Sequence, residues 1–296
     1  MTRVRERDIT LIDGRTLHVY VTGRLRSRRL PIIWHHGTPN TGAPPEPLMR
    51  AAKKAGLRWV AFDRPGYGGS SRHEGRTVGS IASDVEQLAD ALGLERFAVF
   101  GHSGGGPHAL ACAASMPGRV AAVAISGGLA PLALADGDTG LARERWFDGM
   151  GPVGSASLGT ALDGADAKRA HEDAADDGID FTSRDWAALA GKWGWLGTVA
   201  AAGVATGLDG LVDDDLAYVA PWGVDLSRIT APTLLAHGVN DRVVPIAHAR
   251  WLAAALPNAT LWEVEGEGHI SALADDGHGA AAAVRWVADT VEADDA

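Results

Sequence analysis

Chemistry is concentrated first at a serine set among glycines, Gly101-His102-Ser103-Gly104-Gly105. Phe97 to Phe100 before it is a short apolar run of the kind that makes a buried strand, and Gly105 to Met116 after it reads as a helix of small residues. A serine on a sharp turn from strand to helix has a strained backbone and a presented hydroxyl. The residues two places away on each side must then be small, because the chains pack closely there, and Gly101 and Gly105 meet that need. The helix starts at the serine, so its free N–H groups point toward the reacting atoms. In a chain with 38 glycines the G-x-S-x-G pattern also arises by chance. A glycine-rich turn that only joins strand to helix is the competing reading, and other residues must decide.

A serine hydroxyl needs a base to remove its proton, and the base needs an orienting carboxylate. Eleven histidines are available, so position decides. His269, in Gly266-Glu267-Gly268-His269-Ile270, directly follows the last strand-like run and is the expected base. Asp241, in His237-Gly238-Val239-Asn240-Asp241-Arg242-Val243-Val244-Pro245, follows another strand-like run and is the expected acid. Loops at the carboxyl ends of strands are where a parallel sheet places catalytic groups. The alternatives are a surface-loop histidine and a turn-forming aspartate. The oxyanion of a tetrahedral intermediate needs two preorganised donors. The backbone N–H of Gly104 is one candidate, and that of Thr38 in His36-Gly37-Thr38-Pro39 is the other, since Pro39 has no N–H to give.

The elements that must hold these residues follow from hydrophobic patterning. Thr10 to Ile12 and Leu17 to Val21 flank Asp13-Gly14, a hairpin signal. Pro31 to Trp34, Arg58 to Phe62, Phe97 to Phe100, Val120 to Ser126, Thr233 to Ala236 and Ala259 to Val264 lack polar alternation, as strands buried on both faces do. Helical patterns over Pro45 to Ala55, Thr77 to Leu92, Gly105 to Met116, His248 to Leu256 and Gly279 to Val291 alternate with them. The result is a doubly wound α/β sheet. Residues 132–224 break the rhythm: they hold no convincing buried strand but five tryptophans, Trp146, Trp186, Trp193, Trp195 and Trp222. The division expected is a core of 1–131 and 225–296 with a helical cap of 132–224. The tryptophans either line an apolar pocket or pack the cap onto the core.

Taken together, His35-His36-Gly37-Thr38-Pro39, Phe62-Asp63-Arg64-Pro65-Gly66-Tyr67-Gly68-Gly69-Ser70, Gly101 to Gly106, Gly238 to Pro245 and Gly266 to His269 resemble the α/β-hydrolase superfamily in its cap-bearing branch of esterases, lactonases and prolyl aminopeptidases. The resemblance implies an eight-stranded, mainly parallel sheet under a helical cap. It implies that Asp63 and Tyr67 are structural, and that His36 and His102 shape the site rather than act as bases. Two departures narrow it. Prolyl aminopeptidases typically show His-Gly-Gly-Pro-Gly and a Trp before the nucleophile, where this chain has His-Gly-Thr-Pro-Asn and His102. Haloalkane dehalogenases and epoxide hydrolases of this fold use an aspartate nucleophile, where this chain has Ser103.

Composition sets the outer bounds. Hydrophobic residues are 46% and charged residues 22%, ordinary for a soluble protein with a sizeable core. A net charge of −10 repels nucleic acid and anionic membranes alike. The one basic cluster, Arg24, Arg26, Arg28 and Arg29, reads as a solvated loop, and the acidic runs Asp173 to Asp180 and Asp213 to Asp215 read as solvated faces without metal-ligand spacing. The N-terminus lacks a secretory core and Leu196 to Leu208 is too short and glycine-rich to span a bilayer, so a cytoplasmic protein is expected. The lone Cys112 excludes an intrachain disulfide and reads as a small core residue. Gly101-x-x-Gly104-Gly105-Gly106 does not match G-x-G-x-x-G, so dinucleotide chemistry is not expected. The expected activity is hydrolysis of a small or medium uncharged ester or lactone, with a small molecule as partner and no cofactor. Other enzymes on the same triad (amidase, aminopeptidase, thioesterase, C–C hydrolase, acyltransferase) and a non-catalytic binding protein are the alternatives.

Overall fold

A glycine turn at Asp13-Gly14, with Gly14 at φ +86°, closes the first hairpin in the computed structural model of the chain, which describes residues 3–23, 27, 29–135, 138–174 and 178–294. The hairpin pairs β1 (Val4–Thr10) with β2 (Thr16–Thr22) in antiparallel register, from Val4 opposite Thr22 to Thr10 opposite Thr16. That register leaves Leu11 and Ile12 in the turn, so the strand lies N-terminal to the expected Thr10 to Ile12. Arg24, Arg26 and Arg28 lie outside the described residues; Arg29 is exposed.

The chain then alternates through β3 (Pro31–His35), α1 (Met49–Lys54), β4 (Arg58–Phe62), α2 (Ile81–Leu92), β5 (Phe97–His102), α3 (Gly105–Ser115) and β6 (Val120–Ser126). Two-residue strands β7 (Leu132–Ala133) and β8 (Leu141–Ala142) lead into α4 (Arg143–Phe147), α5 (Pro152–Ala161), α6 (Ala165–Ala174), α7 (Ser183–Leu189), α8 (Trp195–Val204) and α9 (Asp209–Val219). The rhythm resumes with β9 (Thr233–Gly238), α10 (Ile246–Ala255), β10 (Ala259–Val264), the single turn α11 (Ser271–Ala274) and α12 (Ala280–Asp294). Eight strands form one sheet in the order β1-β2-β4-β3-β5-β6-β9-β10, parallel from β4 to β10. This is the α/β-hydrolase fold. No single helix among the described residues is long and apolar enough to cross a membrane.

β3, β4, β5, β6 and β9 are buried along their whole length, which is why their sequences lack polar alternation. β10 departs from that expectation. It pairs only with β9, so it is an edge strand, and of its residues only Val264 is fully buried. Successive side chains leave a strand on opposite faces. Accordingly Phe97 and Val99 join one apolar cluster with Val85 and Leu110, while Ala98 and Phe100 join the other with Trp34, Trp59 and Val284. Cys112 is buried on α3, as read from sequence. Of the five tryptophans, Trp146, Trp193 and Trp222 are buried in these clusters, so for them packing is the observed role.

The acidic triplet of α9 overturns its expected solvated face. Asp213, Asp214 and Asp215 are all buried. Consecutive helical residues point about 100° apart, so each carboxylate meets a different cation. Asp213 takes Arg72 in a two-pronged pair at 2.8 and 2.9 Å, and Asp215 takes Lys168 at 2.6 Å. Asp214 receives Arg64 at 2.6 Å, Arg76 at 2.7 Å, the Tyr67 hydroxyl at 2.8 Å and the Thr38 hydroxyl at 2.6 Å. Burial alone would raise its pKa, but the charges of Arg64 and Arg76 outweigh that and hold it well below the ordinary carboxylate range.

Two predictions follow from this packing. A Cβ at Gly105 would sit 2.0 Å from the His35 carbonyl oxygen and one at Gly101 would sit 2.5 Å from that of Gly105. Gly105→Ala is expected to cost about 1–3 kcal/mol, read from urea unfolding; an unchanged midpoint would contradict the close approach. Asp214→Ala strands Arg64 and Arg76 without a counter-charge and is expected to cost about 3–5 kcal/mol. A variant as stable as wild type would show that the cluster does not tie α9 to the sheet.

Candidate active site

Ser103 sits at the junction of β5 and α3 with φ +52°, and it is the non-glycine residue found at positive φ among the described residues. Left-handed backbone costs an L-residue about 1–2 kcal/mol, so the surroundings must enforce it. The Ser103 N–H donates to the Ser126 carbonyl at 2.9 Å and the Gly106 N–H donates to the Ser103 carbonyl at 2.9 Å. Gly101 and Gly105 let β3, β5 and α3 close around the turn. Ser103 remains partly accessible while its neighbours are buried.

Beside this turn, at the carboxyl ends of β9 and β10, lie Asp241 and His269. His269 Nδ1 donates to Asp241 Oδ2 at 2.6 Å, which leaves Nε2 as the nitrogen for a reacting proton. The other oxygen, Oδ1, accepts the N–H groups of Val243 and Val244 at 2.8 and 2.9 Å. Burial opposes the charge on Asp241, but His269 and the His237 contact at 3.3 Å outweigh it and drive its pKa below the ordinary range. Burial likewise disfavours a charged His269, but the Asp241 carboxylate, and more weakly Asp185, raise its pKa above the ordinary imidazole value. Gly127, at φ +61°, makes room for the ring: a Cβ there would lie 3.0 Å from His269 Cε1. The His102 ring, one residue before Ser103, lies 5.2 Å from that of His269. The structure thus joins Asp241 to His269 and sets the His269 ring beside His102, the residue before Ser103.

Thr38 and Gly104 are also neighbours. A Cβ on Gly104 would sit 2.6 Å from Thr38 Oγ1 and 2.2 Å from the Tyr218 hydroxyl. The loop carrying Thr38 reaches Ser103, because a Cβ on Gly37 would sit 3.4 Å from the Ser103 Cβ. The Thr38 hydroxyl is held by Asp214, and the Tyr218 hydroxyl lies 2.8 Å from it and 2.9 Å from the Gly104 carbonyl. His36 and His102 occupy structural positions. His36 donates from Nδ1 to the Gly37 carbonyl at 2.8 Å and accepts the Arg64 N–H at Nε2. His102 Nδ1 donates to the Ser126 carbonyl at 3.2 Å. Burial pushes both rings down, His102 to about 3, so both are neutral near pH 7. Asp63 accepts the Gly42 and Gly69 N–H groups, and Tyr67 reaches Asp214.

Several residues at the site are not legible as such in the sequence. Arg64, Asp214 and Tyr218 order the loop of Thr38, and Asp214 is separated from its Arg64 partner by 150 positions. The run of three aspartates was the available signal, but it carries no indication of which cations it meets. Phe181, ahead of α7, lies near-parallel to the His269 ring at 6.5 Å and edge-on to the half-exposed Trp186 at 5.3 Å. Among the described residues, no three or more His, Cys, Asp or Glu side chains are grouped to hold a metal ion.

Comparisons with known proteins agree with the fold. The family model described as alpha/beta hydrolase fold matches residues 31–276. A non-heme chloroperoxidase of Streptomyces lividans is 31% identical over 252 residues, covering 81% of this chain and 85% of that protein. A non-heme chloroperoxidase of Burkholderia pyrrocinia is 29% identical over 260 residues, covering 81% and 84%. The crystal structure of the enol-lactonase from Burkholderia xenovorans LB400 superposes with a TM-score of 0.68 at 21% identity, covering 97% of this chain and 100% of that one. With the matched segment running from β3 through the loop of His269, the chain belongs to the alpha/beta hydrolase fold family of enzymes.

Proposed function

We propose that the chain is a serine hydrolase that cleaves a small or medium uncharged carboxylic ester or lactone, with residues 132–224 as a cap over the site. The observation that carries the reading is the 2.6 Å contact of His269 Nδ1 with Asp241 Oδ2 beside a serine held at φ +52°. His269 Nε2 takes the Ser103 proton as Oγ attacks the carbonyl carbon. The Thr38 and Gly104 N–H groups stabilise the resulting oxyanion. Collapse breaks the carbonyl–alkoxide bond, and His269 returns the proton to the leaving alcohol. Water, deprotonated by His269, then releases the acid and restores Ser103. The carboxylate of Asp241 stays ionised throughout and stabilises the transient imidazolium.

An uncharged substrate is supported by the state of the nearby charges. Arg64 and Arg76 are taken by Asp214, so they offer no free cation to a substrate carboxylate. Asp241 and Asp214 are filled by their own partners, which leaves them unable to bind the α-ammonium of an aminoacyl substrate. In a panel of p-nitrophenyl esters, lactones and aminoacyl anilides, the esters or lactones are expected to be turned over fastest. Turnover of anilides alone would overturn the substrate class. The names of the two chloroperoxidase relatives add peroxide with halide as a further arm of that panel.

The base must be neutral to accept a proton. Because Asp241 raises the His269 pKa, kcat/KM is expected to climb with pH through a midpoint above about 6.5. Asp241→Asn removes the charge that raises it, so the midpoint should move to lower pH and kcat should fall by about 10⁴-fold. A midpoint unmoved in Asp241→Asn would show that this carboxylate does not govern the base.

A further inference from the structure

The loop that carries His269 is gripped from the helical side of the molecule. Asp185, on the first turn of α7, is buried to 1% exposure. Its Oδ1 accepts the backbone N–H groups of Ile270 and Ser271 at 2.7 and 2.8 Å. Its Oδ2 accepts the Thr182 N–H and hydroxyl at 2.8 and 2.7 Å, and Thr182 Oγ1 in turn accepts the Asp185 N–H at 3.2 Å. The carboxylate is therefore fixed on its own helix by a capping box while it reaches across to the two residues after His269. Gly268, just before His269, passes so close that a Cβ would sit 2.2 Å from Asp185 Oδ2. The Gly268 N–H donates to Ser271 Oγ at 2.7 Å, which closes the loop on itself.

We propose that Asp185 is a positioning residue for His269: its carboxylate holds the backbone just after the imidazole, with Gly268 packed against it just before, and so fixes where Nε2 can meet the Ser103 hydroxyl. The proposal rests on the reading of His269 as the base. It also gives the helical segment a share in catalysis, since a group that orients the base is contributed by α7. A second carboxylate is placed near the ring by the same contact. The titratable and charged groups around His269 are Asp241 from the loop after β9, Asp185 from α7 and His102 from β5, with His237 reaching it through Asp241. Glu267 is paired with Arg184. Burial works against the charge on Asp185, but the N–H groups of Ser271 and Ile270 and the Thr182 contacts keep it ionised. Asp185 therefore adds to the field that favours protonated His269.

Asp185→Asn keeps the size and one acceptor but removes the charge and breaks the symmetric grip. In the full chain it is expected to lower kcat by about 10–100-fold while KM changes by less than about twofold. The NMR titration of the His269 ring, which needs no substrate, should move to lower pH. Glu at this position, one methylene too long, should not restore kcat. A folded Asp185→Asn variant with wild-type kcat and a wild-type His269 titration would overturn the proposal. Should Asp185→Asn not fold, Thr182→Val loosens the same carboxylate and leaves its charge. It should lower kcat with KM unchanged, and wild-type kcat in that variant would likewise overturn it. A wild-type protein inert toward every ester, with the His269 titration still shifted in Asp185→Asn, would separate failure of the hydrolase reading from failure of this one.

Discussion

Asp214 is a carboxylate with no exposure, and the arrangement of the site depends on how it is neutralised. Moving such a group out of water costs several kcal/mol, which is recovered only when good geometry fills every lone pair. Here two guanidinium groups and two hydroxyls do so. The four donors come from three segments. Thr38 belongs to the loop of the expected oxyanion donor, Arg64 and Tyr67 to the loop after β4, and Arg76 to the approach to α2. Because Arg64 also donates to the His36 carbonyl, the charge of one aspartate in α9 sets the path of the backbone that faces Ser103. A buried ion pair of this kind is poor as a source of net stability but strict about geometry, and strict geometry is what a preorganised oxyanion site requires.

Around this anchor the electrostatics are divided. His36, His102 and His108 are buried with a backbone carbonyl as acceptor, and burial keeps them neutral. His269 is equally enclosed, yet it faces Asp241, and its pKa moves in the opposite direction. These four imidazoles thus separate into three held neutral against backbone carbonyls and one whose proton affinity is raised. The partner of the second ring nitrogen makes the difference, and no propensity of histidine itself would predict it.

The legible parts of the chain are those whose constraint is local. The turn at Ser103 needs small residues two positions away, the hairpin needs Asp13-Gly14, and a strand buried on both faces needs an unbroken apolar run. Each of these is written within a few consecutive positions. The doubly wound sheet follows from those pieces, and its eight mainly parallel strands agree with the resemblance they carry. What stayed hidden depends on distant partners. Asp213, Asp214 and Asp215 look like a solvated face until Arg72, Arg64, Arg76 and Lys168 arrive from elsewhere in the fold. Ala259 to Val264 reads like an interior strand because composition does not say how many neighbours a strand has, and β10 has one. The tryptophans were open between pocket and packing, and three of them pack.

The central claim is that Ser103 is a nucleophile activated by His269. Treatment of the native protein with a fluorophosphonate, followed by peptide mapping by mass spectrometry, tests it most directly, because phosphonylation requires an activated serine but no knowledge of the substrate. The account predicts a single adduct on Ser103, abolished in Ser103→Ala and strongly slowed in His269→Ala. A folded protein that takes no label, or that takes it at a different residue, would contradict the account.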